Sequence, residues 1–558
     1  MKPNSLRRLA SLLALMLILT GCAKLPTSGE VKVGSDIQSG LTADYLYYSP
    51  SGPTDSASQA EIINGFLNAA TGPQGDYQVA REFLAGSLAA DWNPSNELLI
   101  AEARPQVQLI GTSGARVRLK AMARIDDSGR YYDLGNGIER VLDYEFTSED
   151  GQWRISSAPN ATVLVRPVFD VLFKSYSLYF YDEQNRYLVP DLRWYATRVS
   201  TSTRLVSALL AGPSDWLSGA VQNSFPSKTK LALDSVTVED GTAIVDLDST
   251  ANHATVIERQ RMLAQLTATL TQLANVFDVE IRIDHIAQRI ANLPYEVSLA
   301  NNPDPVILTS EGFKVLSTTA ALMPKASDAA SAWGATDFSI NNQQTLLALQ
   351  SSRGIGLFKL TAADTKTVLI DSRPDLLAPS IDPQGYVWTL GKAEDAPLLA
   401  FDSTGVQQFS ALGWLAGKKH LAFAVSREGG RVAILVQNGK RNQIFVAAIT
   451  RNPKGAPIAI SNPIQIGQSQ QILRSLSWID DTSLGTIAKS AEGTTIPIYL
   501  QVNGEIKKLA IVANALSVVA NGLYSSAYVL DSSHNLKVLR SMTWLESAND
   551  IQAIHFAG

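Results

Sequence analysis

From about residue 56 onward, apolar positions first follow the period of a helix and then that of a strand. Ile62, Ile63, Phe66, Leu67 and Ala70 fall on one helical face, and after Thr71-Gly72-Pro73 the stripe resumes with Val79, Ala80, Phe83 and Leu84. Asp76 stands where an N-cap is expected. The pattern then alternates. Residues 107–110, 117–119, 131–132, 142–146 and 153–155 read as strands, the last two joined by the turn residues Glu149-Asp150-Gly151. Two helices followed by an antiparallel sheet predict an α+β N-terminal domain over residues 55–167.

A second segment, residues 168–300, opens with Leu178-Tyr179-Phe180-Tyr181 and Leu188-Val189-Pro190-Asp191-Leu192-Arg193-Trp194, two strands joined near residues 182–186. Ser202 or Thr203 can cap a helix whose Leu205, Val206, Leu209 and Leu210 share a face, and Gly212-Pro213 ends it, because glycine takes a left-handed C′ position and proline cannot continue. Residues 236–247 make two alternating runs about Asp240-Gly241, a hairpin signal. Met262, Leu263, Leu266, Leu270 and Leu273 mark a long helix, and Val279, Ile281 and Ile283 a closing strand. Leu209-Leu210-Ala211-Gly212-Pro213, Ala243-Ile244-Val245-Asp246-Leu247 and the helix before the closing strand resemble the GerMN domain. One departure stands out: Asp284-His285 occupies the place of an expected Asp-Gly turn.

Beyond residue 300 helical stripes vanish. Units beginning at Ser339, Ser380, Val425, Ser477 and Ser517 each run strand, polar turn, strand, roughly 40–50 residues apart, which is the period of a four-stranded propeller blade. Residues 306–308 and 551–556 can pair to close a sixth blade. A β-sandwich followed by a smaller domain is the alternative. The fold class is therefore multidomain: an α+β N-terminal domain, an α+β GerMN-like domain and an all-β, propeller-like C-terminal domain over 301–558.

The N-terminus changes the picture most. Lys2, Arg7 and Arg8 precede the apolar run of residues 9–19, the plan of a secretory signal over residues 1–21 and about half the roughly 20 residues a bilayer-spanning helix needs. It ends at Leu19-Thr20-Gly21-Cys22, and Cys22 is the one cysteine of the chain. These residues resemble the bacterial lipobox, which implies that Cys22 becomes the mature N-terminus as an S-diacylglycerol, N-palmitoyl cysteine; an ordinary signal with a chance cysteine is the other reading. Residues 22–54, rich in Ser, Gly, Thr and Pro, read as a flexible tether. Loss of the signal removes three basic residues and no acid, taking the net charge from −5 to −8. An acidic mature chain argues against nucleic acid as partner, since phosphate binding needs a basic face.

Lipobox, α+β domain, GerMN-like domain and propeller, in that order, resemble the actinobacterial LpqB lipoprotein family, most specifically at Cys22 and its tether, Tyr179-Phe180, Pro190-Asp191-Leu192-Arg193 and Leu210-Ala211-Gly212-Pro213. The resemblance implies a lipid anchor on the extracytoplasmic face of the cell membrane. It also implies association with the extracytoplasmic domain of a sensor histidine kinase, MtrB, with effects on envelope homeostasis.

The residues themselves assign no catalytic group, metal ligand or cofactor. His253, His285, His420, His534 and His555 lie at no metal-ligand spacing. Asp126-Asp127, Asp246 with Asp248, and Asp480-Asp481 fall at turns or strand ends, where aspartate stabilises backbone. Lys418-Lys419-His420 and Lys440-Arg441 are basic spots, read as solvated loops or as contacts for anionic lipid or polymer. The function read from this is a membrane-tethered, non-enzymatic adaptor. The alternative is a wall-glycan-binding or glycan-hydrolysing propeller, for which Trp388, Trp414, Trp478 and Trp544 are available, although Trp388 and Trp478 sit at strand positions and read as core.

Overall fold

The computed structural model describes residues 50–558 except 73, 198–199, 295–301, 303, 318–323, 362–365, 403–406, 411 and 523–526. The signal, Cys22 and the tether up to residue 49 lie outside the described residues, as do Leu523 and Tyr524 of the fifth repeat unit.

Helix α1 (Gln59–Ala69) starts with a capping box in which Ser58 and Glu61 each satisfy the other's backbone N–H, and it buries Ile62, Ile63, Phe66 and Ala69. The second stripe does not make the expected helix. It is split into a 3₁₀ turn (Gln74–Asp76) and α2 (Gln78–Arg81), because Gly75, Asp76 and Tyr77 all adopt positive φ. Asp76 is therefore not a cap, and it pairs instead with Arg81 at 2.6 Å. After α3 (Gly86–Asp91) come β1 (Glu97–Ala101), β2 (Gln106–Ile110), β3 (Gly114–Asp126), β4 (Tyr131–Glu149), β5 (Gln152–Ser157) and β6 (Thr162–Val165). The sheet runs β5-β4-β3-β1-β6 with β2 on β3. It differs from expectation twice. Residues 131–146 belong to one continuous strand of 19 residues, not two. The sheet is also mixed, since β6 pairs parallel to β1.

A short helix α4 (Arg166–Leu172) leads into the ribbon β7 (Phe173–Asp182) and β8 (Leu188–Ala196), turned at residues 183–187. Next come α5 (Thr201–Ala211), β9 (Val221–Gln222), β10 (Thr237–Glu239), β11 (Thr242–Leu247), α6 (Val256–Leu270), β12 (Asp278–Ile283) and β13 (Ile286–Ala287). Asp240 (φ 49°) and Gly241 (φ 81°) make the β10–β11 turn with both central residues left-handed. Helix α6 then crosses over so that β12 lies parallel to β11. The cap of α5 is Ser200, not Ser202 or Thr203. Those two side chains bond the backbone of Val236 instead, pinning the helix start to the strand entry. Gly212 ends α5 at φ 103°, ψ −180°, a positive-φ conformation that favours glycine, although outside the αL well itself. Leu273 lies past the end of α6, which stops at Leu270.

The C-terminal region is a ring of six small sheets among the described residues. Inner strands Asp337–Ile340, Ser380–Ile381, Lys419–Val425, Ile472–Trp478 and Ala515–Val519 begin blades I to V. Blade VI is closed as the sequence predicts: Val306–Thr309 pairs with Ile551–His555, Val306 opposite His555. Helix α7 (Pro324–Trp333) packs on the outer strand of that blade. Neighbouring blades adjoin all the way round. Repeated serines stitch the seams. Ser339 Oγ accepts from Ile381 N, Ser380 Oγ accepts from Val425 N, and Ser477 Oγ donates to Val518 O.

The ribbon β7–β8 joins all three parts. Val189 lies against Gly430, where an added Cβ would come within 3.1 Å of its Cγ2, and Leu192 packs likewise on Gly504. Trp194 is 4% exposed, stacks at 5.7 Å on Tyr131 and 5.1 Å on Phe169, and donates its Nε1–H to Asn503 O at 3.0 Å. Its rings and its one polar atom thus bridge the N-terminal sheet, the ribbon and blade IV. Trp194→Ala removes this contact and is expected to cost about 3–5 kcal/mol, read as a lower denaturation midpoint. A midpoint unchanged within error would show that the joint contributes nothing.

Candidate functional site

The propeller's inner strands enclose a channel of about 430 Å³, lined from all six blades. The two ends of this channel differ. At the end facing the middle domain, Asn302 donates its side-chain N–H groups to Asn342 O and Ala557 O, both at 3.2 Å, and accepts a bond from Asn521. Asn302 therefore laces blades I, V and VI together there. Inside, Ser339, Ser380, Ser477 and Ser517 present side chains, and His555 Nε2 meets Asp337 Oδ1 at 2.7 Å across the closing seam.

Two buried ion pairs sit in the turns after inner strands. Asp382 accepts from Tyr386 N, Trp388 Nε1 and Arg451 Nη2, the last at 2.6 Å, with the two charged side chains 0% and 3% exposed. Arg431 bonds Glu428 at 2.7 Å and Asp481 O at 2.6 Å, and lies 4.6 Å over the Trp478 ring. Sequence reasoning placed a polar turn after each inner strand, which is where Asp382 and Glu428 lie, but missed their ionic partners. Arg451 is 69 residues from Asp382, and no local signal connects them.

Of the acids and histidines singled out from sequence, all but Asp127 and Asp481 are held by backbone or a neighbouring side chain. Asp126 accepts from Ser128 N and Oγ, Arg130 N and Tyr132 OH. Burial raises its pKa, yet the bonds from Ser128, Arg130 and Tyr132 together outweigh burial and hold it below the usual carboxylate range. Asp246, buried, accepts from His285 N at 3.0 Å and meets His285 Nδ1 at 2.6 Å. This carboxylate holds the Asp284-His285 turn, whose φ values of 46° and 69° match what an Asp-Gly pair adopts without strain. Asp248 caps a 3₁₀ turn through Thr250 N, and Asp480 caps the turn to Thr482. His253 and His534 direct Nδ1 to the carbonyls of Thr250 and Ile551. His420 is fully buried with Nδ1 on Gly391 O at 2.8 Å. Among the described residues no group of three His, Cys, Asp or Glu is placed to hold a metal ion.

The tryptophans offer no common platform. Trp388 is buried, Trp478 lies in the channel wall with Nε1 on Ala424 O, and Trp544 bonds Ala510 O. The basic spots, separate in sequence, do meet. Lys419 lies opposite Gln437, and Arg441 opposite Asn438, so Lys418-Lys419 and Lys440-Arg441 occupy one end of blade III.

Comparison with known proteins decides the family. The family model described as Lipoprotein LpqB, N-terminal domain, matches residues 52–170; that described as Sporulation and spore germination matches 177–286; and that described as Lipoprotein LpqB beta-propeller domain matches 326–553. The chain belongs to the LpqB lipoprotein family. The LpqB of Bifidobacterium longum is 26% identical over 79% of this chain and 78% of its own length. The LpqB of Cutibacterium acnes is 22% identical over 89% of each. Among solved structures, the first GerMN domain of the sporulation protein GerM from Bacillus subtilis is 24% identical, covering 23% of this chain and 97% of that one at a TM-score of 0.19. In this LpqB-family chain no helix among the described residues is long and apolar enough to cross a membrane.

Burial holds the His420 pKa below its ordinary value, against the opposing bond to Gly391 O. The unfolded chain therefore binds a proton near pH 6.5 that the folded chain binds only at lower pH, so His420 subtracts stability as pH falls through and below that value. His420→Gln is expected to flatten the decline in unfolding midpoint between pH 7 and 5. Parallel pH profiles for both chains would show that His420 is not the group responsible.

Proposed function

We propose that this LpqB-family chain is a non-enzymatic, lipid-anchored adaptor on the outer face of the cell membrane, acting on the extracytoplasmic part of a membrane-embedded sensor kinase of the MtrB type. The observation that carries the reading is the joint at β7–β8. With the N-terminal sheet, the middle domain and blades III and IV packed on one buried ribbon, a contact made by the propeller is felt by the rest of the body as a displacement of one solid. Such a body can bias a two-state partner by binding one of its states better than the other.

The fate of the polar groups supports the same reading. Most of the carboxylates and histidines weighed as acids, bases or ligands hold turns, seams and domain joints. Cys22 supplies the remaining piece. Two or more acyl chains, at roughly 0.8 kcal/mol per buried CH₂, give a stable anchor where one does not, and confinement to the surface raises the effective concentration of a membrane partner. Proximity then compensates for modest intrinsic affinity.

Cys22→Ser is expected to move the protein from the membrane fraction to the soluble one and to abolish kinase-dependent signalling, with the unfolding midpoint of the folded body unchanged. A Cys22→Ser chain that still sediments with membranes and signals normally sinks the tethered-adaptor reading.

A further inference from the structure

We infer that the propeller face turned away from the middle domain is a binding surface for a phosphodiester-linked anionic polymer, laid across blades III and IV beside the open end of the channel. Lys418 and Lys419 enter blade III's inner strand, and Lys440 and Arg441 form its strand-two to strand-three turn. Arg474 and Lys489 stand at the same end of blade IV. Asn442 Nδ2 donates to Leu473 O at 3.0 Å, and Lys489 N to Gln471 O at 2.9 Å, which ties these loops to their neighbours. On the blade II side, His420 N donates to Lys392 O, and Lys392 lines the channel. Two spots far apart in sequence thus become one basic crescent with Lys392 at its inner rim.

Three features bear on what this crescent binds. None of these seven side chains makes an ion pair among the described residues, and Lys418 Nζ is held only by the carbonyl of Trp414 at 2.8 Å. Six cations of blades III and IV share this end with Glu492, and Lys392 of blade II with Glu394 and Asp395, so cations outnumber acids in a chain of net charge −5. A patch with such an excess raises the local concentration of anions and speeds their capture. The third feature selects the class of partner. No exposed large apolar side chain lies in these loops; the nearest in sequence, Val368 and Leu369, Ile458 and Ile511, are on other segments. Insertion into a bilayer interface uses buried apolar anchors, and protein interfaces centre on aromatic and apolar hot spots. A surface of lysine, arginine, asparagine, glutamine and serine, extended over two blades, suits repeated phosphates joined by hydroxylated units. Arginine can bind a phosphate oxygen pair, and lysine acts as a point charge.

The test titrates the full lipidated chain in non-ionic detergent with fluorescent poly(glycerol phosphate), across a salt series. Binding is expected, and the chain carrying Lys418→Gln, Lys419→Gln, Lys440→Gln and Arg441→Gln is expected to bind at least tenfold more weakly, with the slope of log K against log salt reduced by about 3. Replacing the three lysines by arginine is expected to preserve binding, which separates charge from folding, and unfolding midpoints are read on every variant. Polyglutamate serves as the carboxylate polymer, and phosphatidylglycerol vesicles are tested on the Cys22→Ser chain so that the anchor does not itself bind them. Failure to bind the phosphate polymer, equal affinity for polyglutamate, capture by vesicles alone, or a glutamine variant with unchanged affinity each overturns the assignment. None of these outcomes bears on whether Cys22 tethers the chain.

Discussion

A two-stranded ribbon with both faces buried cannot exist alone, and this fold is arranged around one. From Val189 to Ala196 every residue of β8 is buried. One side is covered by the helices of the middle domain, where Gln272 of the segment after α6 bonds Ser177 N and O. The other is covered by glycine-bearing turns of blades III and IV, and its end by the N-terminal domain, where Gly129 O accepts from Trp194 N at 2.7 Å. At its centre Asp191 and Arg193, 0% and 5% exposed at their side chains, pair at 2.7 Å. Asp191 also accepts from Ser214 N and Oγ, and Arg193 donates to Ser128 O. Buried pairs of this kind add little net stability over apolar residues, yet removing one partner is costly because the other charge is left without compensation. What the pair enforces here is register: its bonds reach Ser214 of the middle domain and Ser128 of the N-terminal domain, and they form together only when the parts meet in one arrangement.

The propeller obeys a related constraint. A blade presents strand edges that must be covered, and a ring solves this only if the first and last blades join. Blade VI does so by borrowing one strand from the C-terminal end of the chain and two from the start of the propeller. The pairing of Val306–Thr309 with Ile551–His555 is then reinforced across the next seam by His555 and Asp337. The serine bonds between blades have the same purpose at smaller scale. Each uses a short hydroxyl to satisfy the backbone of the following inner strand, where a larger side chain would intrude on the channel.

How far this was legible depends on the range of the interaction. Five repeat units were legible from turn residues, because Asn341, Asp382 and Asp480 each bond the backbone of their own turn and so recur at the blade period; the blade count itself was not, since the sixth sheet depends on pairing between the two ends of the propeller. The β10–β11 hairpin was equally local. The misreadings arose where distant atoms overrule neighbours. Ser202 and Thr203 look like caps, but Val236 claims both side chains. Residues 131–146 look like two strands because their polar middle, from Asp133 to Arg140, is expected to break the run; β3 pairs with residues 131–133 and 138–145 on either side and carries the strand through the irregularity at 134–137. The Asp284-His285 turn looks strained from sequence alone, and the carboxylate that holds it, Asp246, lies 39 residues away. The Asp382–Arg451 pair and the Trp194 joint are of the same type, set by topology and not by spacing.

The asymmetry of the channel follows from the same joint. Docking the ribbon on blades III and IV commits the turns at one end to intramolecular work, and Asn302 fastens that end further. Charge buried there is met by polar partners, Asp382 by Arg451, Glu428 by Arg431 and Arg427 by Asn521 Oδ1. The basic side chains of the crescent, at the opposite end, make no such pairs and are left to solvent. A propeller built symmetrically from repeats thereby acquires two unlike faces, one spent on internal cohesion and the other free to meet the surroundings. Loops on a rigid scaffold are the usual bearers of recognition, and here the scaffold itself determines which set of loops remains for that role.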